Sequence, residues 1–405
     1  MQNKWLKNIT VIAIILTMLG TLYFKLYEPE FQALNWQPLP EIDHELGQSR
    51  VYQSHHHQAI GQAKQILRKG RVSLGVPGIS IAVGIQGETV WAAGYGYADI
   101  DKQKTIAINT QFRIGSTSKA LTSLALGQLL QSKQLQLDDA IGKYLPNLPK
   151  ALRQITVRQL ASHQSGIRSY GHCLCLPSDE YYNNDEYTSV SEAIETFIHD
   201  PLLFQPGENF AYSSYNYTLL SAVMEQVADK PFLQLMQNQV FEPLGMSETA
   251  ADHAKATIPY QASFYNTGYG HYQLAYTVNN SNKWAGGGFL STPSDLVKMA
   301  NQLLSGNYLQ ADTLALLFEP QKLNNGDVNP QQYALGWRHS TKSIDGNEKV
   351  HYVHHGGTAA GSTSLLIMFP ESHLAVSVLI NGSIMNFGDL WDVSFDIAQT
   401  FLKNQ

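Results

Sequence analysis

A chain of 405 residues is long enough for one large core or two lobes. Only 15% of it is charged, while 43% is hydrophobic and 21 residues are tyrosine, which excludes a disordered or scaffolding chain and marks a well-buried, enzyme-like body. The net charge of −6 excludes nucleic acid as a partner, because displacing its counterions requires a basic surface.

At the N-terminus, Lys4 and Lys7 precede an apolar run from Ile9 to Phe24, interrupted by Thr10, Thr17, Gly20 and Thr21. A short positive region before an apolar stretch is an export signal. No small-x-small cleavage site follows, so residues 1–27 read as an uncleaved, single-pass signal-anchor, although shorter than the ~20 residues of a spanning helix. Lys4 and Lys7 would stay inside and the body would lie outside the cytoplasm, in a bacterial periplasm; export after signal cleavage is the alternative. Residues 28–54, with Pro29, Pro38 and Pro40, read as a linker.

Ala59, Ile60, Ala63, Ile66 and Leu67 recur at helical spacing and predict an amphipathic helix over 55–70. His55, His56 and His57 open it, and three consecutive side chains on a helix do not converge on one metal ion. Ile79–Ile85 and Thr89–Ala93, joined by Gln86-Gly87-Glu88, form a hairpin. Helical patterns follow over 116–130, 190–197, 217–227 and 293–304. Ser364–Phe369 and Leu374–Ile380 form a second hairpin, and a helix over 389–402 closes the chain. Cys173 and Cys175 have one residue between them, so a bridge would be strained, and no second pair completes a metal site; they read as loop thiols.

Strands at both ends with helices between predict an α+β fold: an antiparallel sheet built from both chain ends, flanked by helices, with an inserted mainly helical lobe. The domain would span 55–403, with the sheet lobe at about 55–100 and 331–403 and the helical lobe at about 101–330. The site belongs in the cleft between them.

The sequence holds no Gly-x-Ser-x-Gly elbow, no His-Glu-x-x-His and no Walker loop. It does hold Gly115-Ser116-Thr117-Ser118-Lys119-Ala120 leading into an apolar helix. Ser116 and Lys119, three apart at a helix N-terminus, share one face. A serine hydroxyl needs a base beside it, and a lysine desolvated in a cleft can serve. The spacing alone also fits an N-cap serine beside a surface lysine.

Two further clusters bear on that choice. Tyr212-Ser213-Ser214 stands at a turn before a helix, where Tyr212 could shuttle a proton and Ser214 could bond a substrate amide or the lysine. His354-His355-Gly356-Gly357 reads as a turn before the last hairpin. There Gly356 and Gly357 admit close approach to the backbone, a free N–H completes an oxyanion hole, and His354 offers a donor or a cation to a substrate carboxylate.

In this order, Ser116–Lys119, Tyr212–Ser214 and His354–Gly357 resemble the three motifs of the serine beta-lactamase-related family, which includes class C beta-lactamases, DD-peptidases and related esterases. Leu160–Gly166 and Phe241–Met246 agree, and Asn282–Thr292 looks especially like the mitochondrial serine beta-lactamase-like protein and its bacterial relatives. The resemblance covers 55–403 and implies a beta-lactamase/transpeptidase-like fold without a cofactor or metal. It implies Ser116 as the acylated nucleophile, Lys119 as its base or proton relay, Tyr212 in the proton traffic, and the N–H groups of Ser116 and Gly357 as the oxyanion hole. His163 and Gly286–Gly288 would be structural or pocket-lining.

Ser214 replaces the family's common asparagine, and His354-His355 replaces Lys-Thr. A histidine is only partly charged near neutral pH, so grip on a carboxylate would weaken and vary with pH. The resemblance therefore implies a peptidase, amidase or esterase acting on a small-molecule or peptide substrate more than a dedicated beta-lactamase. The alternative is a binding or assembly protein that keeps the pocket without turnover.

Overall fold

The computed structural model describes residues 2–27, 35–41, 43, 46–172, 177–256, 258–344 and 348–403. The main sheet is built from strands β1 (Gly47–Val51), β2 (Gly78–Ile85), β3 (Glu88–Asp99), β4 (Arg338–Ile344), β5 (Glu348–Ala359), β6 (Ser362–Phe369) and β7 (Leu374–Ile380). Its order is β4–β5–β6–β7–β2–β3–β1, with Lys104–Thr105 paired to β3 off this path. The two chain ends meet where β7 lies antiparallel to β2, with Leu374 opposite Ile85 and Ile380 opposite Ile79. The sheet is thus antiparallel and assembled from both ends, as the pattern of strands predicts.

The longer helices are α1 (Gln2–Tyr27), α2 (His57–Leu74), α3 (Ser118–Gln131), α4 (Ser214–Ala228), α5 (Pro293–Leu304) and α6 (Phe387–Leu402). One face of the sheet is covered by α2 and α6: Ala59, Ala63 and Leu67 share a core with Leu390, Phe395, Ile81 and Val376. The other face takes α5. With both faces covered, β2 and β7 are buried at every position, so apart from Ser80 and Ser377 their sequences carry no polar side chain. A second core fills the helical lobe around α3, whose apolar side chains are buried on nearly every side.

The sequence predicts strands near the C-terminus only from 364 onward, but β4 and β5 precede them, and His354–Gly357 lies within β5 instead of a turn. The reason is exposure. β4 is an edge strand with the polar run Arg338-His339-Ser340-Thr341-Lys342, which shows no apolar alternation. Part of the stretch read as linker forms β1 at the opposite edge, and Gln37–Pro38 pairs with His271–Tyr272. Cys173 and Cys175 lie outside the described residues.

The expectation of a single-pass membrane anchor is corrected. Among the described residues no helix is long and apolar enough to cross a membrane. α1 contains the run Ile9–Phe24, whose 16 residues would reach about 24 Å against the ~30 Å of a hydrocarbon core. Its threonines also interrupt the apolar surface, Thr17 and Thr21 turning their hydroxyls back to the carbonyls of Ala13 and Thr17. The transmembrane assignment, and the placement of the body outside a membrane that followed from it, fall together.

Candidate active site

Ser116 sits in the short 3-10 turn Gly115–Thr117 that opens α3. Gly115 has a φ of +49°, and a Cβ there would lie 2.5 Å from the Thr358 carbonyl oxygen. Glycine therefore lets this turn lie against β5 in a left-handed conformation. One turn on, Lys119 is fully buried. Its Nζ lies 3.1 Å from Ser116 Oγ, 3.0 Å from Ser214 Oγ and 2.6 Å from the Gly286 carbonyl oxygen. Burial pushes its pKa below the ordinary lysine value against the opposing pull of Tyr212, and the Arg338 charge adds to the lowering. A neutral amine in this cage donates one hydrogen to Gly286 and one to Ser214, leaving its lone pair for the Ser116 hydroxyl.

Ser214 therefore bonds the lysine, one of the two partners the sequence allows. Tyr212 stands beside it, its ring centroid 4.9 Å from Lys119 Nζ. That ring packs on His163 at 4.2 Å, and His163 is itself held by the Ser213 N–H donating to its Nδ1 at 3.2 Å. Burial keeps the His163 imidazole neutral, far below its usual pKa. His163 thus positions the tyrosine without reaching Ser116.

On β5, a Cβ on Gly357 would fall 1.9 Å from the Ile114 carbonyl oxygen and 2.7 Å from the Ser116 nitrogen. The strand and the nucleophile turn lie backbone to backbone, which places the Ser116 and Gly357 main chains side by side. A Cβ on Gly356 would meet Phe387 at 2.2 Å. His354 Nε2 lies 3.1 Å from Ser340 Oγ, and its ring packs on Trp391 at 4.8 Å. Burial, with Arg338 and His339 beside it, pushes the His354 pKa down to about 3. The expectation of a partly charged His354 is corrected: at neutral pH the ring is uncharged, and the standing cation is Arg338, directly opposite it on β4.

A cavity of about 510 Å³ opens in front of Ser116, lined by Tyr212, Arg338, Ser340, Tyr352, His354, Gly356, Gly357, Phe387 and Trp391. A smaller recess of about 50 Å³ flanks Ser116 and includes Tyr170, Tyr181, Ser214, Asn280 and Lys283. Among the described residues no group of three or more His, Cys, Asp or Glu is placed to hold a metal ion.

A family profile described as beta-lactamase matches residues 63–398. The chain belongs to the beta-lactamase family. Within this family it is 29% identical to human mitochondrial serine beta-lactamase-like protein LACTB, over 78% of this chain and 72% of that one. It is 28% identical to protein flp of Staphylococcus aureus, over 78% of this chain and 61% of that one. In fold it is similar to D-amino acid amidase from Ochrobactrum anthropi SV3, with a TM-score of 0.71, 23% identity and coverage of 85% and 99%. It is also similar to a penicillin-binding protein from Bacillus halodurans, with a TM-score of 0.65, 21% identity and coverage of 84% and 99%. The beta-lactamase/transpeptidase-like fold is thereby shown.

Three residues around the site escaped sequence reasoning. Arg338 follows Trp337 on an edge strand with no motif to flag it. Tyr333 bonds His355 Nε2 through its hydroxyl at 3.0 Å. Lys283 lies inside the Asn282–Thr292 segment, but nothing there separates a pocket lysine from a surface one.

A buried ion pair braces the turn from behind. Arg113 Nε meets Asp252 Oδ2 at 2.7 Å, Arg113 Nη1 donates to the Ala360 carbonyl oxygen at 3.0 Å, and Asn280 Nδ2 donates to Asp252 at 2.6 Å. Asp252→Ala strands the guanidinium without a counter-ion and is expected to cost about 3–5 kcal/mol, measured as a lowered midpoint in denaturant unfolding.

Proposed function

We propose that the chain is a serine hydrolase that works through an acyl-enzyme on Ser116. The reading is carried by one observation: a fully buried Lys119 amine 3.1 Å from Ser116 Oγ, also hydrogen-bonded to Ser214 and Gly286. Ser116 Oγ attacks the carbonyl carbon of an amide or ester as its proton passes to Lys119. The oxyanion is held by the N–H groups of Ser116 and Gly357. Collapse expels the amine or alcohol, which takes the proton back through Lys119 and Tyr212. Water, deprotonated by the same pair, then releases the acid.

The substrate class is a small amide, peptide or ester. D-amino acid amides and peptides come first on our panel, because a D-amino acid amidase and a D-stereospecific amidohydrolase from Streptomyces share the fold. The neutral His354 and the lysine-bound Ser214 argue against a beta-lactam as natural substrate, leaving at most a weak side activity. A fluorophosphonate or fluorescent penicillin is expected to label the native protein and not Ser116→Ala. Equal labelling of the two, or none of either, sinks the reading. A pocket-keeping protein without turnover is the alternative, supported by the replaced asparagine and lysine, and measured turnover on the panel removes it.

A further inference from the structure

The smaller recess holds a charge that the chemistry above leaves unused. Lys283 is only 5% exposed, and its Nζ donates to the Tyr181 carbonyl oxygen at 2.6 Å. The ammonium also stands 4.9 Å and 5.3 Å from the ring centroids of Tyr181 and Tyr170. Among the described residues no carboxylate pairs with it. Asp179 and Asp252 attract it from farther away and are engaged elsewhere, Asp179 accepting the Tyr181 N–H at 2.8 Å and Asp252 held by Arg113 and Asn280. An ammonium carries three N–H donors, and aromatic faces share its charge without accepting them in line. A buried cation lacking a counter-ion is costly, and a fold that keeps one beside its nucleophile leaves the counter-ion to be supplied by a ligand.

The recess is about 50 Å³ and reaches Ser116, with Lys283 and Asn280 in its wall. That is room for a group of carboxylate size and not for a ring. We infer that this recess receives a carboxylate carried by the substrate near its scissile carbonyl, with Lys283 as the counter-ion. The inference rests on Ser116 being the nucleophile. It sets this recess apart from the large cavity, where Arg338 is the cation and aromatic walls suit bulkier groups.

The charge on Lys283 should follow pH. Burial and the Arg113 charge bring its pKa down to about 7, against the pull of Asp179 and Asp252. Tyr170 and Tyr181, which face it, are pushed up by burial and stay neutral. Because the pKa is lowered, the cation is present below about 7 and lost above it, while a substrate carboxylate stays ionised throughout.

The test is protection of Ser116 from fluorophosphonate labelling by N-phenylsuccinamic acid, compared with the neutral and similarly shaped N-phenylsuccinamide. Near pH 6 the acid is expected to protect at a concentration about tenfold lower than the amide. The advantage should fade by pH 9 and vanish in Lys283→Met near pH 6. An acid no better than the amide overturns the inference. So does an advantage that survives in Lys283→Met, which would place the anion at Arg338. Should that variant fail to fold, the wild type decides: an advantage unchanged between pH 6 and pH 9 is fatal. A wild-type protein that the probe never labels fails the hydrolase reading itself, and this inference with it. Labelling without acid preference fails only the inference.

Discussion

Replacing Lys119 by methionine is expected to lower kcat/KM by about 10²–10⁴-fold, the usual contribution of a positioned general base. Methionine fills the space of the lysine stem, so the loss reports the amine and not a cavity. The pH profile gives the sharper check. Burial lowers the Lys119 pKa, so wild-type kcat/KM should rise with pH through an acid limb below the ordinary lysine value of ~10.4, and that limb should disappear in Lys119→Met. Stability follows with the same sign. Between the lowered folded pKa and the unfolded value the unfolded chain binds more protons, so folding gains stability as pH rises through that window. The gain should be smaller in the variant. A Lys119→Met protein with native turnover and an unchanged acid limb would remove the lysine from the mechanism.

Gly357→Ala is the second large effect. Its methyl would sit 1.9 Å from the Ile114 carbonyl oxygen and 2.7 Å from the Ser116 nitrogen. Neither is the tip of a flexible side chain, so β5 must retreat from the turn that carries the nucleophile. The N–H pair assigned to the oxyanion then separates, and kcat should fall about 10²–10³-fold, as when one oxyanion donor is lost. Thermal melting should show a lowered Tm, since the register around Gly357 and Ser364 is disturbed. A variant that melts like the wild type and keeps its kcat on a neutral ester would show that the strand does not serve the oxyanion.

What was legible in the sequence was whatever left a periodic or covalent signature. The helix predicted over 293–304 coincides with α5, because Thr292 caps it by accepting the Asp295 N–H and Pro293 begins it. Ser116 and Lys119 could be paired because helical geometry converts three residues into one face. β2 and β7 were visible through their apolar runs. β4 was hidden because an edge strand need not alternate, and β5 because two glycines look like a turn until the backbones they allow together are seen. Arg338 and Lys283 left no trace, since a charge acquires meaning only from what surrounds it. The apolar stretch at Ile9–Phe24 misled in the opposite way: its composition pointed to a membrane that its length does not reach.

The seam between β7 and β2 joins residues nearly as far apart in the chain as the domain permits, Ile380 facing Ile79. Such pairing is slow, because a long loop must close before any contact rewards it. On a ribosome, Gly78–Ile85 emerges some three hundred residues before its partner, and in the finished protein every one of its positions is buried. Until Leu374–Ile380 is made, that apolar strand has an unfilled edge, a template for pairing with another chain. Synthesis of this protein therefore carries a long interval of aggregation risk. A chain stopped short of residue 374 would keep every residue of the proposed catalytic set and still lack the strand that closes the sheet.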